Sequence, residues 1–349
     1  MKKKKKRHRR VRYFRVFSAL VLLILIIWGI AKACSSGRNE SKQTAANQVL
    51  TTAVQTTTTV VIETTTEEPT LPTMAYPVSG TGVKAFGDEY DVKNAVLIDV
   101  DSNTIVADKN SSARMYPASL TKVMTLIVAV ENTPDLNEKV EITNEIVAEM
   151  IDSLASRAGY EAGETPSMLD ALYGMILTSG GDATLSIANH VAGSETAFVE
   201  LMNNKAQEMG LKSTHFTNTV GLHDDNHYST AQDMALILEY AMKNDVCRKI
   251  LSTAEYTSEV SSMREEPLVF ESTVFARMYG DEMPNVKVLG GKTGFTDQAG
   301  NCVETFAVIN GKTYILVLCG ATTRWNTIYN TLSAYSVMCA GGQPYDPPV

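Results

Sequence analysis

Ser119 and Lys122 stand at i and i+3 in Ser119-Leu120-Thr121-Lys122; further along come Ser179-Gly180-Gly181 and then Lys292-Thr293-Gly294. On a helix, positions i and i+3 share a face, so the first hydroxyl and amine can approach each other. A serine hydroxyl becomes a good nucleophile when a base takes its proton. A lysine serves as that base once burial or nearby positive charge lowers its pKa. Leu120, Val123 and Met124 supply an apolar setting. The plain alternative is a helix-capping serine beside a solvated lysine. A lysine on an apolar first turn, just after Pro117-Ala118, argues against that.

The other two elements would complete an acyl-transfer site. Ser179 offers a second hydroxyl in a tight loop, able to relay a proton to a leaving amine. Gly180 and Asp182 there also read as helix-capping residues, Gly180 closing one helix and Asp182 opening the next. In Gly290-Gly291-Lys292-Thr293-Gly294-Phe295-Thr296 the glycines let a peptide lie alongside a strand. Lys292 and Thr293 offer a charge and a hydroxyl for a terminal carboxylate, with Arg324 as a further candidate. The backbone N–H groups of Ser119 and Phe295 are the natural pair of oxyanion donors. His223 and His227 have the i, i+4 spacing of a metal pair. They sit in a loop-like stretch, and no H-E-x-x-H occurs, so neither metal nor cofactor is expected.

Secondary-structure patterning places these elements. Asn94–Val100 and Thr104–Ala107 read as a hairpin. A helix is predicted from Pro117 and Ser119 to about Glu131, with Leu120, Val123, Met124, Ile127 and Val128 as its apolar stripe. Further helices are predicted over 167–178, 183–191, 195–209, 230–243 and 326–338. Strands are predicted over 287–289, 301–308 and 313–319, the last two joined at Asn310-Gly311. Strands at both ends with helices between them predict a single α+β catalytic domain over 83–340, with a tail at 341–349.

Charge divides the 349-residue chain. Its net charge is -8, yet residues 1–15 carry ten Lys or Arg and no acid, leaving 21 basic against 39 acidic residues elsewhere. An acidic body argues against a nucleic-acid partner. Val16–Ala31 is uncharged and apolar, so 16–33 reads as a membrane anchor or signal segment behind a cytoplasmic basic head. Ala31-Lys32-Ala33 resembles a cleavage site, and lipidation at Cys34 is a third option. Either way the body is expected outside the cytoplasmic membrane. Residues 34–80, rich in Thr, read as a disordered linker. The five cysteines form no C-x-x-C; buried thiols are the simple reading, with one bridge left open.

Four segments carry a family resemblance. YPASLTKVMT, LYGMILTSGGDAT, GLHDDNHYSTAQDMA and GGKTGFTDQAGNC occur in the order found in the serine D-alanyl-D-alanine carboxypeptidases, the low-molecular-mass penicillin-binding proteins. The resemblance covers about three quarters of the chain. It implies a β-lactamase-like fold, an antiparallel sheet flanked by helices. It implies Ser119 as acyl-ester nucleophile, Lys122 as proton acceptor, Ser179 as second catalytic hydroxyl, and Lys292 with Thr293, Gly294 and Phe295 as the substrate-binding strand. The implied substrate is the peptidoglycan stem peptide, with β-lactam antibiotics as inhibitors. One position departs: the family's second motif usually ends in Asn, and here it is Gly181. Two outcomes are then open: lower activity, down to a wall-binding homologue, or substitution of the Asn by Asp182 or water. Residues 341–349 read as a short tail, so the C-terminal β-domain and membrane helix that family members often carry are not expected within this sequence.

Overall fold

The computed structural model describes residues 74–278 and 283–347. The basic head, the apolar segment at 16–33 and the linker up to residue 73 lie outside the described residues. Six strands form one sheet in the order β1-β3-β2-β8-β7-β6. They are β1 (Val78–Ala85), β2 (Asn94–Asp99), β3 (Thr104–Lys109), β6 (Lys287–Thr296), β7 (Gly300–Ile309) and β8 (Lys312–Ala321). A two-stranded ribbon pairs β4 (Glu255–Thr257) with β5 (Val269–Glu271). Between β3 and β4 run α1 (Lys122–Asn132), α2 (Asn144–Asp152), α3 (Met168–Leu177), α4 (Gly181–Ala192), α5 (Glu195–Glu208), α6 (Ala231–Lys243) and α7 (Asp245–Leu251). A short α8 (Phe275–Met278) precedes β6, and α9 (Arg324–Ala334) follows β8 and ends in a π-helical turn, Tyr335–Ala340.

Strand alternation gives the sheet two apolar faces. Val96 and Ile98 of β2, with Ile315 and Val317 of β8, belong to the larger core on the helical side, where α6 packs on both strands. Ala95, Leu97, Leu316 and Leu318 point the other way, onto Ala334 and Tyr335 at the end of α9. The result is three layers. Helix α1 is buried from Lys122 to Ala129 and lies in the larger core. A helix apolar on all sides is one enclosed by others. β7 and β8 turn at Asn310-Gly311, both left-handed (φ 52° and 77°), as a two-residue hairpin requires.

The expected hairpin of β2 and β3, the β7–β8 pair and the helical middle are present. Four differences stand out. The sheet is mixed rather than purely antiparallel, because β1 pairs parallel with β3. The chain reaches β1 from the helical side, where the Met74 N–H donates to the Met209 carbonyl. Second, the linker expected to run to residue 80 ends earlier: Met74 is buried and Val78 already opens β1. Third, the 134–168 stretch contains α2, whose Thr143 side chain caps the Ile146 N–H. Fourth, no element is predicted over 245–271, where the chain forms α7 and the β4–β5 ribbon. Cys247, Cys302, Cys319 and Cys339 are free thiols, as the simple reading has it, and no bridge forms among these described cysteines. No helix among the described residues is long and apolar enough to cross a membrane.

Candidate active site

Ser119 does not lie within an α-helix. It sits in a 3-10 turn, Ala118–Thr121, and α1 begins at Lys122. In a 3-10 turn, side chains at i and i+3 eclipse one another, which suits this pair better than α geometry. The turn is entered through Ala118, whose φ of 50° is left-handed for a residue with a Cβ. Such strain persists only where surrounding structure enforces it. Lys122 is fully buried, and its Nζ lies 3.2 Å from Ser119 Oγ and 2.6 Å from the Val220 carbonyl oxygen. Burial, then the nearby charge of Lys292, pushes the amine well below its usual pKa, while Asp182 opposes the shift. A lysine so placed can be neutral near neutral pH and can accept a hydroxyl proton.

Ser179 has a left-handed backbone (φ 63°), and its buried Oγ has no partner. On β6, the Lys292 ammonium is fully buried and donates to the Thr293 carbonyl at 2.8 Å. Burial, then Arg277, lowers its pKa to about 7, and Glu304 acts in the opposite direction. Thr293 Oγ1 lies 2.7 Å from Thr273 Oγ1. Gly294 faces the turn: a Cβ there would come within 2.9 Å of the Ser119 nitrogen. Ser119, Lys122, Ser179, Thr293, Gly294 and Phe295 line a single open cleft of about 510 Å³. Lys292 is the expected site residue that does not line it; it bears on the cleft through its charge on Lys122.

A profile of the family described as D-alanyl-D-alanine carboxypeptidase matches residues 81–323. The chain belongs to the D-alanyl-D-alanine carboxypeptidase family. It is 34% identical over 238 residues to D-alanyl-D-alanine carboxypeptidase DacF of Bacillus subtilis, covering 67% of this chain and 58% of that protein. With D-alanyl-D-alanine carboxypeptidase DacA of Haemophilus influenzae it shares 33% identity over 65% of this chain and 56% of the relative. The chain thus spans little more than half the length of these relatives. Penicillin binding protein 5 from Haemophilus influenzae superposes with a TM-score of 0.63 at 29% identity, over 72% of this chain and 71% of that one. A Streptomyces DD-transpeptidase superposes equally well, with a TM-score of 0.63 at 25% identity over 69% and 94%.

At the end of the second motif, where the resemblance implies Asn, this chain of the carboxypeptidase family has Gly181. Gly181 opens α4, and its N–H donates to the Ser156 carbonyl. A Cβ at 181 would lie 2.4 Å from Met150 Sδ, so Met150 of α2 fills the room an Asn would need. Asp182 does not take the place of that Asn. Its carboxylate accepts the N–H groups of Ala158, Gly159 and Tyr160 and does not line the cleft. Nor does it cap α4, whose N-cap is Gly180. It fixes the loop before α3.

Other residues the sequence pattern passes over also reach the cleft. Arg277 and Thr273 line it, from a stretch with no motif. Arg324, named as a carboxylate candidate, does not; its guanidinium lies 5.2 Å from the Trp325 ring. Among the described residues no group of three or more His, Cys, Asp or Glu side chains is placed to hold a metal ion. His227 instead accepts the Thr217 N–H at Nδ1, so Nε2 carries the proton toward Thr121 Oγ1 at 2.8 Å. Burial lowers its pKa to about 4. A neutral histidine thus braces the turn that carries Ser119. His223 lines the cleft and meets the Tyr116 ring edge-on.

Proposed function

We propose that this protein is a serine-type D-Ala-D-Ala carboxypeptidase that removes the terminal D-alanine from peptidoglycan stem peptides. One observation carries the reading: a fully buried lysine amine sits 3.2 Å from a cleft-facing serine hydroxyl. Lys122 Nζ accepts the proton of Ser119 Oγ, which attacks the carbonyl carbon of the penultimate D-alanine. The N–H groups of Ser119 and Phe295 hold the oxyanion, close to where Gly294 allows β6 to approach the turn. The C–N bond then breaks. The proton on Lys122 passes through Ser179 Oγ to the departing amine, leaving an acyl ester on Ser119. Water attacks that ester, giving up its proton to Lys122 and then to Ser119. Thr293 and the cations Lys292 and Arg277 favour the substrate carboxylate. β-Lactams would acylate the same serine. No cofactor enters this scheme.

The catalytic domain would act outside the cytoplasm, tethered through residues 16–33; the basic flank before that segment supports the orientation. The test is D-alanine release from a stem pentapeptide by the full chain, beside adduct formation with labelled penicillin. Both are expected from the wild type and neither from Ser119→Ala. A penicillin adduct on Ser119→Ala would overturn the assignment. Binding of the pentapeptide without D-alanine release would make the chain a wall-binding relative, and rapid penicillin turnover would make it a β-lactamase. Protease added to intact cells should remove the domain; protection would place it inside.

A further inference from the structure

Glu304 is the one buried carboxylate among the described residues whose two oxygens both lack a hydrogen-bond partner. It is fully buried on β7, directly across the ladder from Lys292 on β6. Opposed residues in an antiparallel pair put their side chains on the same face, with Cβ atoms about 5 Å apart. That face is the one turned toward the helices, because Glu304 is in turn opposed to Val317 of β8, a residue of the larger core. Lys292 and Glu304 therefore point into the same dry layer as Lys122.

We propose that Glu304 is a positioning residue for Lys292: from across the ladder it supplies the countercharge that keeps the Lys292 ammonium protonated while a substrate carboxylate binds. This rests on the acyl-transfer reading above. A carboxylate and an ammonium in one buried layer cost least when they are both charged or both neutral, since either arrangement leaves no net charge out of water. Burial holds Glu304 well above the usual carboxylate range, and Lys292 draws it back down. The same coupling raises the proton affinity of Lys292, against burial and Arg277. The other groups bearing on the pair are Lys122 from α1, Cys302 on β7 and Cys319 on β8. Glu304 does not line the cleft, so it bears on the substrate through Lys292 and not by contact.

The measurement is the pH profile of penicillin acylation and of D-alanine release, for the full-length wild type, Glu304→Gln and Glu304→Asp. With Glu304→Gln the alkaline limb moves to lower pH. The variant stays within about threefold of wild type at pH 6 and falls about tenfold below it at pH 8.5, the loss expected for a shift of about one unit. Glu304→Asp keeps the shape of the wild-type profile, even where its rate is lower. Glu304→Met, apolar and of similar length, replaces Glu304→Gln should the amide fail to fold in a thermal melt.

Superimposable profiles, or a loss equal at every pH, would overturn the proposal and assign Glu304 a packing role alone. Carbon-13 lysine NMR reads the Lys292 titration directly, whether or not the chain turns over. The midpoint must be lower in Glu304→Gln than in wild type. A wild type that neither reacts with penicillin nor releases D-alanine would sink the enzyme reading, while the NMR midpoint would still decide the role of Glu304.

Discussion

Gly294 on β6 and Ser119 in its 3-10 turn approach so closely that one added carbon on Gly294 would sit 2.9 Å from the Ser119 nitrogen. That contact sets the distance between the proposed nucleophile and the strand expected to dock substrate. It also explains why the third motif ends in glycine: Ala118 Cβ and the Leu120 nitrogen lie nearly as close, at 3.1 and 3.2 Å.

Gly294→Ala should therefore push β6 off the turn. Penicillin acylation is expected to fall about a hundredfold, the scale seen for misplacement near 1 Å. A thermal melt should change far less. Acylation within twofold of wild type would show that the strand and turn can separate without cost.

Gly181→Asn, which restores the family's usual residue, should destabilise the fold. Met150 Sδ occupies the space, and overpacking of this kind costs about 1–3 kcal/mol. Gly181→Asn with Met150→Ala should regain part of that loss. Urea melts of the wild type and both variants are the check, and an unchanged midpoint for the single variant would refute the packing account.

Lys122→Arg should lose at least about a thousandfold in acylation, because a guanidinium cannot give up its proton in a protein. In the wild type, activity should fall on the alkaline side as Lys292 loses its proton around pH 7. Comparable acylation by Lys122→Arg would remove the lysine from the role of base.

His227 gives the fold a pH dependence of its own. Its pKa of about 4 in the folded chain lies below the ordinary histidine value of 6.5, so the unfolded chain binds the extra proton first. Stability is then intact above pH 6.5 and declines as pH falls toward 4, by up to about 3 kcal/mol. Denaturant titrations at pH 7 and pH 4.5 should show that decline in the wild type and a smaller one in His227→Gln. Equal slopes would assign the acid sensitivity elsewhere.

Asp182→Ala should cost about 2–4 kcal/mol, because three loop N–H groups lose a charged acceptor. The loop at 153–156 lines the cleft, so acylation should fall as well. A melt unchanged from wild type would show that water replaces the carboxylate.

Sequence alone determined much of this protein. The order of Ser119, Lys122, Ser179 and Lys292 marked the family, and strand alternation with helical stripes marked the α+β layering, because both depend on local spacing. What spacing cannot encode is distance across the fold. The ladder that sets Glu304 opposite Lys292, the Met150 side chain behind Gly181, and Arg277 at the cleft wall instead of Arg324 all join residues far apart in the chain. The parallel docking of β1 and the capped helix α2 were likewise missed, since each depends on a partner or cap with weak local signal. The seat of Lys122 is the clearest case. Its neighbours in sequence make it apolar, but only the folded chain brings the Val220 carbonyl and the charge of Lys292 to it, and these fix where the amine lies and how weakly it holds its proton.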